Sequence, residues 1–505
     1  MKIFSAKSRP VHLGSYPLER LRRHTAPLPS LPDVPVPDLT FSRPDQPESI
    51  VNAMGPFQAM MDALRGGPRN PAQAEIPSDP VVRANHLKAF GYFNDASMMG
   101  ICALPNAARL RTPRRNPDTA ALARDLRGRQ TKTLAAGVDV IMANLRDAAG
   151  APERAIDHHT HAIVVLIAHP RDPRRDEPGS DWIMDAQDQR AALRATENAT
   201  VLGDYIRLLG FDAQVHSATT TDVNPGTLAV AAGLATWEHG QLLAPWIGPR
   251  FGLAVVTTDM GLAPDLPLKP MSEQPRSVLK GPAWALGLHG GVSARSHDPY
   301  ARRNYADGAH PFEHLQRRDT PTTYIDEPNV PRIPKRTDMF ARGQFGDLGP
   351  KVQKAMTGGH HVIKSAPSAA QRRLLGALIL LQDGPVSDAT PTEDPARNAA
   401  NLKAASYFLG VDAAGVSRCP DWAWYSHDAT GTPITPPHDQ ALSLIIDQGY
   451  ETMEGASGDD WISVAQSMRA YLRFSMLGGV LAAQLRRLGH KAKAHTVLDG
   501  DVLQP

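Results

Sequence analysis

The chain has 505 residues, a net charge of +2, 42% hydrophobic and 21% charged residues, the proportions of an ordinary globular protein long enough for two large domains or several smaller ones. The near-neutral balance excludes a strongly basic nucleic-acid surface, and two distant cysteines, Cys102 and Cys419, exclude a disulfide framework, a zinc knuckle or an iron–sulfur cluster built from this chain. Met1-Lys2-Ile3-Phe4-Ser5 opens no apolar run of signal-peptide length, and the longest apolar run, Leu374 to Leu381, is too short to cross a bilayer, so the expectation is a cytoplasmic protein with no membrane partner.

Residues 24–48 hold Pro27, Pro29, Pro32, Pro35, Pro37, Pro44 and Pro47. Proline fixes φ and lacks an amide donor, so residues 1–80 read as an extended arm. A first unit, 81–267, begins near Val81. His86 to Phe93 has a helical pattern and Ser97 to Cys102 that of a strand. An Arg- and Asp-rich helix is expected from Asp118 to Arg146. Ala162 to Ala168 is continuously apolar and β-branched, the pattern of a strand covered on both faces. The helix after it ends at Gly210, where a left-handed residue is needed, and Ala213 to His216 returns as a strand. Leu228 to Ala235 reads as a helix closing on glycine, and Phe251 to Asp259 as the last strand. Residues 268–385 read as an irregular connector, broken by proline and glycine.

The chain then repeats itself. Asn401 to Phe408 echoes His86 to Phe93 at an offset of 315 (402 minus 87, 407 minus 92). Ser457-Gly458-Asp459-Asp460-Trp461-Ile462 echoes Gly179-Ser180-Asp181-Trp182-Ile183 at an offset of 279 (461 minus 182). The same offset carries His159 onto His438, Gln187 onto Gln466, Arg190 onto Arg469, Leu209-Gly210 onto Leu488-Gly489, His216 onto His495 and Asp222 onto Asp501. An ungapped register from His159 to Asp222 predicts one α/β unit used twice, with 159–222 superposing on 438–501. The second copy, 386–505, stops where the Leu228 helix should begin, about 45 residues short (267 minus 222).

The order of a repeated α/β unit, Leu-Gly before a His-ending strand, Ala232-Gly233-Leu234, Gly248-Pro249-Arg250 and Thr257-Thr258-Asp259 resembles the corrinoid-dependent reductive dehalogenases and, more distantly, the epoxyqueuosine reductases. Arg9-Pro10-Val11-His12-Leu13-Gly14 and the stretch from Ser457 to Arg469 look like the soluble, non-exported dehalogenases. The resemblance implies tandem nitroreductase-like corrinoid-domain units, the first degenerate and the second incomplete at its C-terminus. It implies cobalamin, a halogenated and aromatic small-molecule substrate, and replacement of the halogen by hydrogen at the corrinoid cobalt. The family also carries two 4Fe-4S clusters, whose cysteine runs this chain lacks, so electrons are expected from a redox partner or a C-terminal iron–sulfur domain. The chain thus reads as the N-terminal portion of a dehalogenase. After Ala-Gly-Leu the first copy continues Ala235-Thr236, where the family's corrinoid-binding copy tends to Gly-Glu. A competing reading is a non-catalytic scaffold or binding paralogue that lost cluster and cofactor. A flavin-binding, nitroreductase-like enzyme ranks last, because no arginine-rich flavin phosphate motif stands out.

The implied reaction needs a proton, and a tyrosine can give one. Tyr450 follows the Ala441 to Asp447 strand, and the first copy has Arg171 there (450 minus 279); the ordinary alternative is a surface loop tyrosine. Tyr425, in Trp422-Ala423-Trp424-Tyr425-Ser426-His427, is the second candidate, in an aromatic cluster that could wall a pocket for an aryl halide or simply pack beneath a loop. Gly455, Ser457 and Gly458 could approach a cofactor's polar tail at a helix N-terminus, or could only cap the helix. His495 is a candidate cofactor contact, although its match with His216 favours a structural hydrogen bond. His158, His159 and His161 suggest a metal, but only His159 and His161 share a strand face and no third ligand is evident, so no metal site is expected. His360-His361 reads as an inert loop pair.

Overall fold

The structure is a computed structural model and describes residues 10–128, 154–280, 303–316, 318–320, 322–357, 365–389, 394–448, 463–496 and 500–503. Residues 24–49 carry no helix or strand. The expected arm is not extended throughout, because helix α1, Val51–Ala63, follows, with eleven of its thirteen residues buried. Helix α2, Pro80–Phe93, starts with the Asp79 carboxylate accepting the Val81 N–H and with proline at its first position.

Strand β1, Met98–Ala103, precedes strand β2, His161–Ala168. Helix α3, Gln187–Leu208, leads to strand β3, Ala213–His216, and strand β4, Phe251–Thr258, closes the set. These four form one sheet in the order β1-β2-β4-β3. Every pairing in it is antiparallel, so the described residues mix helix and sheet without the parallel sheet that collects sites at one strand end. The apolar run of β2 is buried on both faces as expected. Ile163, Val165 and Ile167 enter one core with α1 and α3. Ala162, Val164 and Leu166 face a second core with Leu228 and Ala229 of the helix Pro225–Ala231. Each fully buried Val, Ile or Leu stabilises by about 1.5–3 kcal/mol.

The second half has helices and strands in a comparable order. Helix α4, Ala366–Leu378, is buried, so the expected connector is not irregular throughout; it stands where α1 stands in the first half (366 minus 51, 378 minus 63, both 315). Helix α5, Pro395–Leu409, is capped by Asp394, which accepts from the Ala396 and Arg397 N–H groups. Strands β5, Ala413–Arg418, and β6, Gln440–Ile445, pair antiparallel, Ala413 opposite Ile445 and Arg418 opposite Gln440. In the first sheet Met98 lies opposite Leu166 and Ala103 opposite His161. The offsets are 413 minus 98 (315) and 445 minus 166 (279), so the register of the pair is the same in both halves. Helix α6, Ser463–Arg487, answers α3.

Individual bonds recur as well. The Tyr92 hydroxyl accepts the Met99 N–H at 3.0 Å, and the Tyr407 hydroxyl accepts the Ala414 N–H at 3.1 Å. Arg207 donates to the Ala213 carbonyl at 2.7 Å, and Arg486 to that of Ala492 at 2.8 Å. Gly210 (φ 89°) and Gly489 (φ 86°) both end their helices in the left-handed region.

The seam between the halves is built from arginines. Arg469 of α6 donates to the Phe93 carbonyl at the end of α2 and to Asp95 Oδ1, both at 2.9 Å. Reciprocally, Arg190 of α3 donates to the Phe408 carbonyl near the end of α5, at 3.2 Å. Arg194 and Arg473 each reach Asp95 Oδ2 at 3.2 Å, and Arg473 also holds the Gly410 carbonyl at 2.5 Å. Burial raises the Asp95 carboxyl, but Arg473, Arg469, Arg194 and Arg190 outweigh it and hold the group below the ordinary carboxylate range.

One element departs from expectation. Ala492 to His495 is not a strand. The Ala494 N–H still bonds the Gln382 carbonyl at 3.0 Å, as the Val215 N–H bonds that of Arg65 at 2.8 Å. What makes Ala213–His216 a strand is β4 on its other side, and no described residue fills that place in the second half. The same gap leaves β6 with one neighbour, and Ile445 is 62% exposed where Leu166 is 0%. No helix among the described residues is long and apolar enough to cross a membrane.

An edge strand loses amide protection with its missing neighbour. Backbone amides of His161–Ala168 should exchange at least about tenfold more slowly than those of Gln440–Ile445. Hydrogen exchange read by mass spectrometry on peptides covering the two strands checks this.

Candidate functional site

Tyr450, Gly455, Ser457 and Gly458 lie outside the described residues, as does Trp461. Their first-half counterparts are described. Arg171, at the position matching Tyr450, makes a two-pronged ion pair with Glu177 at 2.8 and 2.9 Å and stacks 4.0 Å from the Tyr305 ring centroid. Gly179, matching Gly458, has φ 81°, and a Cβ there would lie 2.4 Å from that of Ala404. Its N–H donates to Asn401 Oδ1 at 2.9 Å. In the first half, this turn therefore packs on α5.

The structure brings Tyr425 and His495 to one place around Trp424. Trp424 is 2% exposed, and its ring meets His495 edge-on at 5.4 Å between centroids. The Tyr425 N–H donates to the Asp501 carbonyl at 3.0 Å, and the Asp501 N–H donates to His495 Nδ1 at 3.2 Å. Arg332 donates to the Tyr425 carbonyl at 2.6 Å. The Lys335 ammonium lies 5.8 Å from the Tyr425 ring centroid and donates to the Gly500 carbonyl. Sequence reasoning missed Arg332 and Lys335. They lie in the stretch read as connector, and the only local signal is Pro331 and Pro334, which keep the chain extended while Ile333 and Lys335 bond Ser426 and His427. Burial first, and then the Asp338 charge, raise the Tyr425 phenol above its ordinary value, so it holds its proton at neutral pH.

His216 and His495 make the matched structural bond. The Asp222 N–H donates to His216 Nδ1 at 3.1 Å, as Asp501 does to His495. His216 Nε2 then meets Thr257 Oγ1 at 2.9 Å. Thr257 belongs to β4, the strand with no described equivalent, and His495 Nε2 has no hydrogen-bond partner among the described residues. Burial lowers His216 to about 3. Burial, with the Lys493 charge next, lowers His495 to about 4.

His161 Nδ1 bonds Thr160 Oγ1 at 2.8 Å, and His159 Nδ1 meets Thr257 Oγ1 at 2.8 Å. The expected pairing of His159 with His161 on one strand face does not occur, because β2 begins at His161 and His159 lies in the segment before it.

The buried His216 and the half-buried His495 have folded pKa values below the ordinary 6.5, so the unfolded chain binds more protons as pH falls. Their contribution is fully present above about pH 6.5 and is lost toward the folded values, by about 1.4 kcal/mol per pH unit for each histidine. His495→Asn should flatten the fall in urea-unfolding free energy between pH 6 and 4 by about one histidine's share.

No protein-family model and no curated protein sequence matches the chain. Among solved structures, the catabolic reductive dehalogenase NpRdhA superposes with a TM-score of 0.82 and 34% identity, over 99% of this chain and 66% of that one. Its complex with 3-bromo-4-hydroxybenzoic acid gives 0.81 and 34%, over 99% and 65%. A reductive dehalogenase structure described as suggesting a mechanism for B12-dependent dehalogenation gives 0.82 and 34%, over 99% and 66%. The epoxyqueuosine reductase of Bacillus subtilis is a weaker match, with a TM-score of 0.23 and 12% identity over 65% of this chain and 91% of that one. The chain spans just under two thirds of the dehalogenase chains it matches. With 34% identity and a TM-score of 0.82 over 99% of its length, this chain belongs to the reductive dehalogenase family.

Proposed function

We propose that this protein takes part in the reductive removal of halide from an aromatic organohalide in the cytoplasm. The observation that carries the reading is the match to the B12-dependent reductive dehalogenases over 99% of the chain, one of them bound to 3-bromo-4-hydroxybenzoic acid. In such a reaction the carbon–halogen bond breaks, two electrons and one proton are consumed, and halide leaves as the carbon gains hydrogen. A bound corrinoid supplies the redox chemistry at its cobalt. The electrons are expected from iron–sulfur clusters outside this chain, on a redox partner or a further domain.

The chain is read as a duplicated unit: a corrinoid-free first copy at 81–267 and a corrinoid-binding second copy at 386–505, with 1–80 contributing α1 and 268–385 contributing α4 to the shared core. The identical strand register and the paired Tyr92/Tyr407, Arg207/Arg486 and His216/His495 bonds support this.

The described residues fit a cofactor on the second half. Among the described residues His495 Nε2 has no counterpart of the Thr257 hydroxyl that meets His216, which supports His495 as a contact to an amide of a corrinoid rim. Gly455, Ser457 and Gly458 are proposed as contacts to the same group. Tyr450 is proposed as the proton donor, since only the second half has a phenol there. Tyr425 is the second candidate: it keeps its proton at neutral pH, lies under an ammonium group and adjoins the indole of Trp424, which suits the wall of an aromatic pocket.

Tyr450→Phe removes one hydroxyl, so cobalamin binding should persist. Bromide release from 3-bromo-4-hydroxybenzoic acid by the complete, cobalamin-loaded protein with a chemical reductant should fall about 10²–10⁴-fold. Release at the wild-type rate would sink the Tyr450 role and make Tyr425→Phe the next variant. A protein that retains no cobalamin absorbance after gel filtration would overturn the functional reading.

A further inference from the structure

We propose that His158, His159 and Asp212 form a binding site for a divalent transition-metal ion in the first half of the chain. The two histidines precede β2, and Asp212 immediately precedes β3, so the site would clamp the starts of two strands that β4 separates. His158 Nε2 lies 2.8 Å from Asp212 Oδ2 and His159 Nε2 lies 3.6 Å from the same oxygen. One donor atom from each residue falls within 4.8 Å of the others.

The second observation is the state of His159. Its side chain is 2% exposed, and its Nε2 is buried without a hydrogen-bond partner. At 3.6 Å it is too far from Asp212 to be satisfied by it, and a buried unpaired imidazole nitrogen is costly. Its other nitrogen is already committed, because Nδ1 meets Thr257 Oγ1 at 2.8 Å. That hydroxyl also meets His216 Nε2 at 2.9 Å, and His216 Nδ1 accepts the Asp222 N–H, so His216 donates from Nε2. A threonine oxygen has two lone pairs. It can accept from His159 Nδ1–H as well, which leaves the His159 Nε2 lone pair directed at the carboxylate. An outer hydrogen bond of this kind fixes ring and tautomer in histidine metal ligands.

Asp212 is oriented too. Its Oδ1 accepts the Ala213 N–H at 2.9 Å, and its own N–H donates to Asp259 Oδ1 at 2.8 Å. Arg109 holds the loop by donating to the Ile156 and His159 carbonyls. The charge that opposes a cation is Arg154, 3.9 Å from Asp212 Oδ1 with a side chain 46% exposed, which leaves it room to turn away. Two imidazoles and one carboxylate suit zinc or cobalt, whereas calcium and magnesium favour all-oxygen sets. Tetrahedral bonds of roughly 2.0–2.1 Å put donors roughly 3.4 Å apart. His158, half exposed, must withdraw slightly from the carboxylate, and His159 needs almost no change.

The second half does not repeat the set. His438 matches His159, but Pro437 and Lys491 stand for His158 and Asp212 (437 minus 158 and 491 minus 212 are both 279). The site therefore belongs to the first half alone and is independent of corrinoid chemistry.

The test uses the untagged, chelator-treated chain without corrinoid, titrated with Co²⁺ at neutral pH. The expected result is ligand-field absorption saturating at one Co²⁺ per chain, displaced by Zn²⁺, with a rise in Tm. His158→Ala alters a half-exposed side chain, so its metal-free Tm should match the wild type, while Co²⁺ affinity falls about 100-fold or more. Asp212→Asn should show the same loss of affinity. Absence of saturable Co²⁺ absorption in the wild type, or saturation unchanged in both variants, would overturn the site.

Discussion

Four arginines of α3 and α6, meeting around Asp95, hold the two halves in one body. Arg469 caps the end of α2 and Arg190 the end of α5, so each half terminates a helix of the other. A helix C-terminus presents unsatisfied carbonyls and partial negative charge. A guanidinium satisfies both, and charged hydrogen bonds contribute about 1.5–3 kcal/mol each. Asp95 and Glu197 are the nearby carboxylates, bonded by Arg194, Arg469 and Arg473. The remaining positive charge is met by carbonyl dipoles. Burial first, then Arg194 and Arg473, lowers the Arg190 guanidinium to about 10. An isolated copy would leave Arg190 and Arg469 without the helix ends they cap, so the seam stabilises the pair of halves alongside the apolar core that α1, α3, α4 and α6 share.

The second constraint is the place of one strand. In the first half β4 lies between β2 and β3, pairs with an edge of each and carries Thr257 to two histidines. In the second half the same neighbours stand in the same register without it. Ala492 to His495 loses its strand character and β6 loses its burial, although the sequences of the two halves remain matched. Secondary structure here is a property of the pairing and not of the segment.

This explains what the sequence made legible. The strand at Ala162–Ala168, the glycines at 210 and 489 and the matched histidines follow from local pattern, and they were readable. Helices α1 and α4 were not. Their sequences share no motif, and α1 follows a proline-rich stretch, yet they stand 315 residues apart and both enter the shared core. What aligns them is the tertiary surface they cover. The site was partly legible. Tyr425 and His495 were readable as residue types and do come together, but the groups that join them, Trp424, Asp501, Lys335 and Arg332, come from segments without periodicity. His159 was paired with His161 by strand alternation, which fails because the strand starts two residues later. Asp212 is 53 residues from His159 (212 minus 159), and only the fold puts it there.

The histidine pair shows how a difference in chemistry arises from a difference in structure. In the first half the Asp222 amide, His216, Thr257 and His159 form a continuous run of hydrogen bonds. In the second half the first link is kept, Asp501 to His495, and the next partner belongs to the strand that has no described counterpart. The same ring is thus an internal fastening in one half and, among the described residues, a donor without a partner beside the buried Trp424 indole in the other. Burial keeps both rings neutral at physiological pH, so the open one can offer a hydrogen bond without bringing a charge. A neutral donor can meet an amide or an aromatic ring with little loss of solvation, and among the described residues the second half presents one where the first half has the Thr257 hydroxyl.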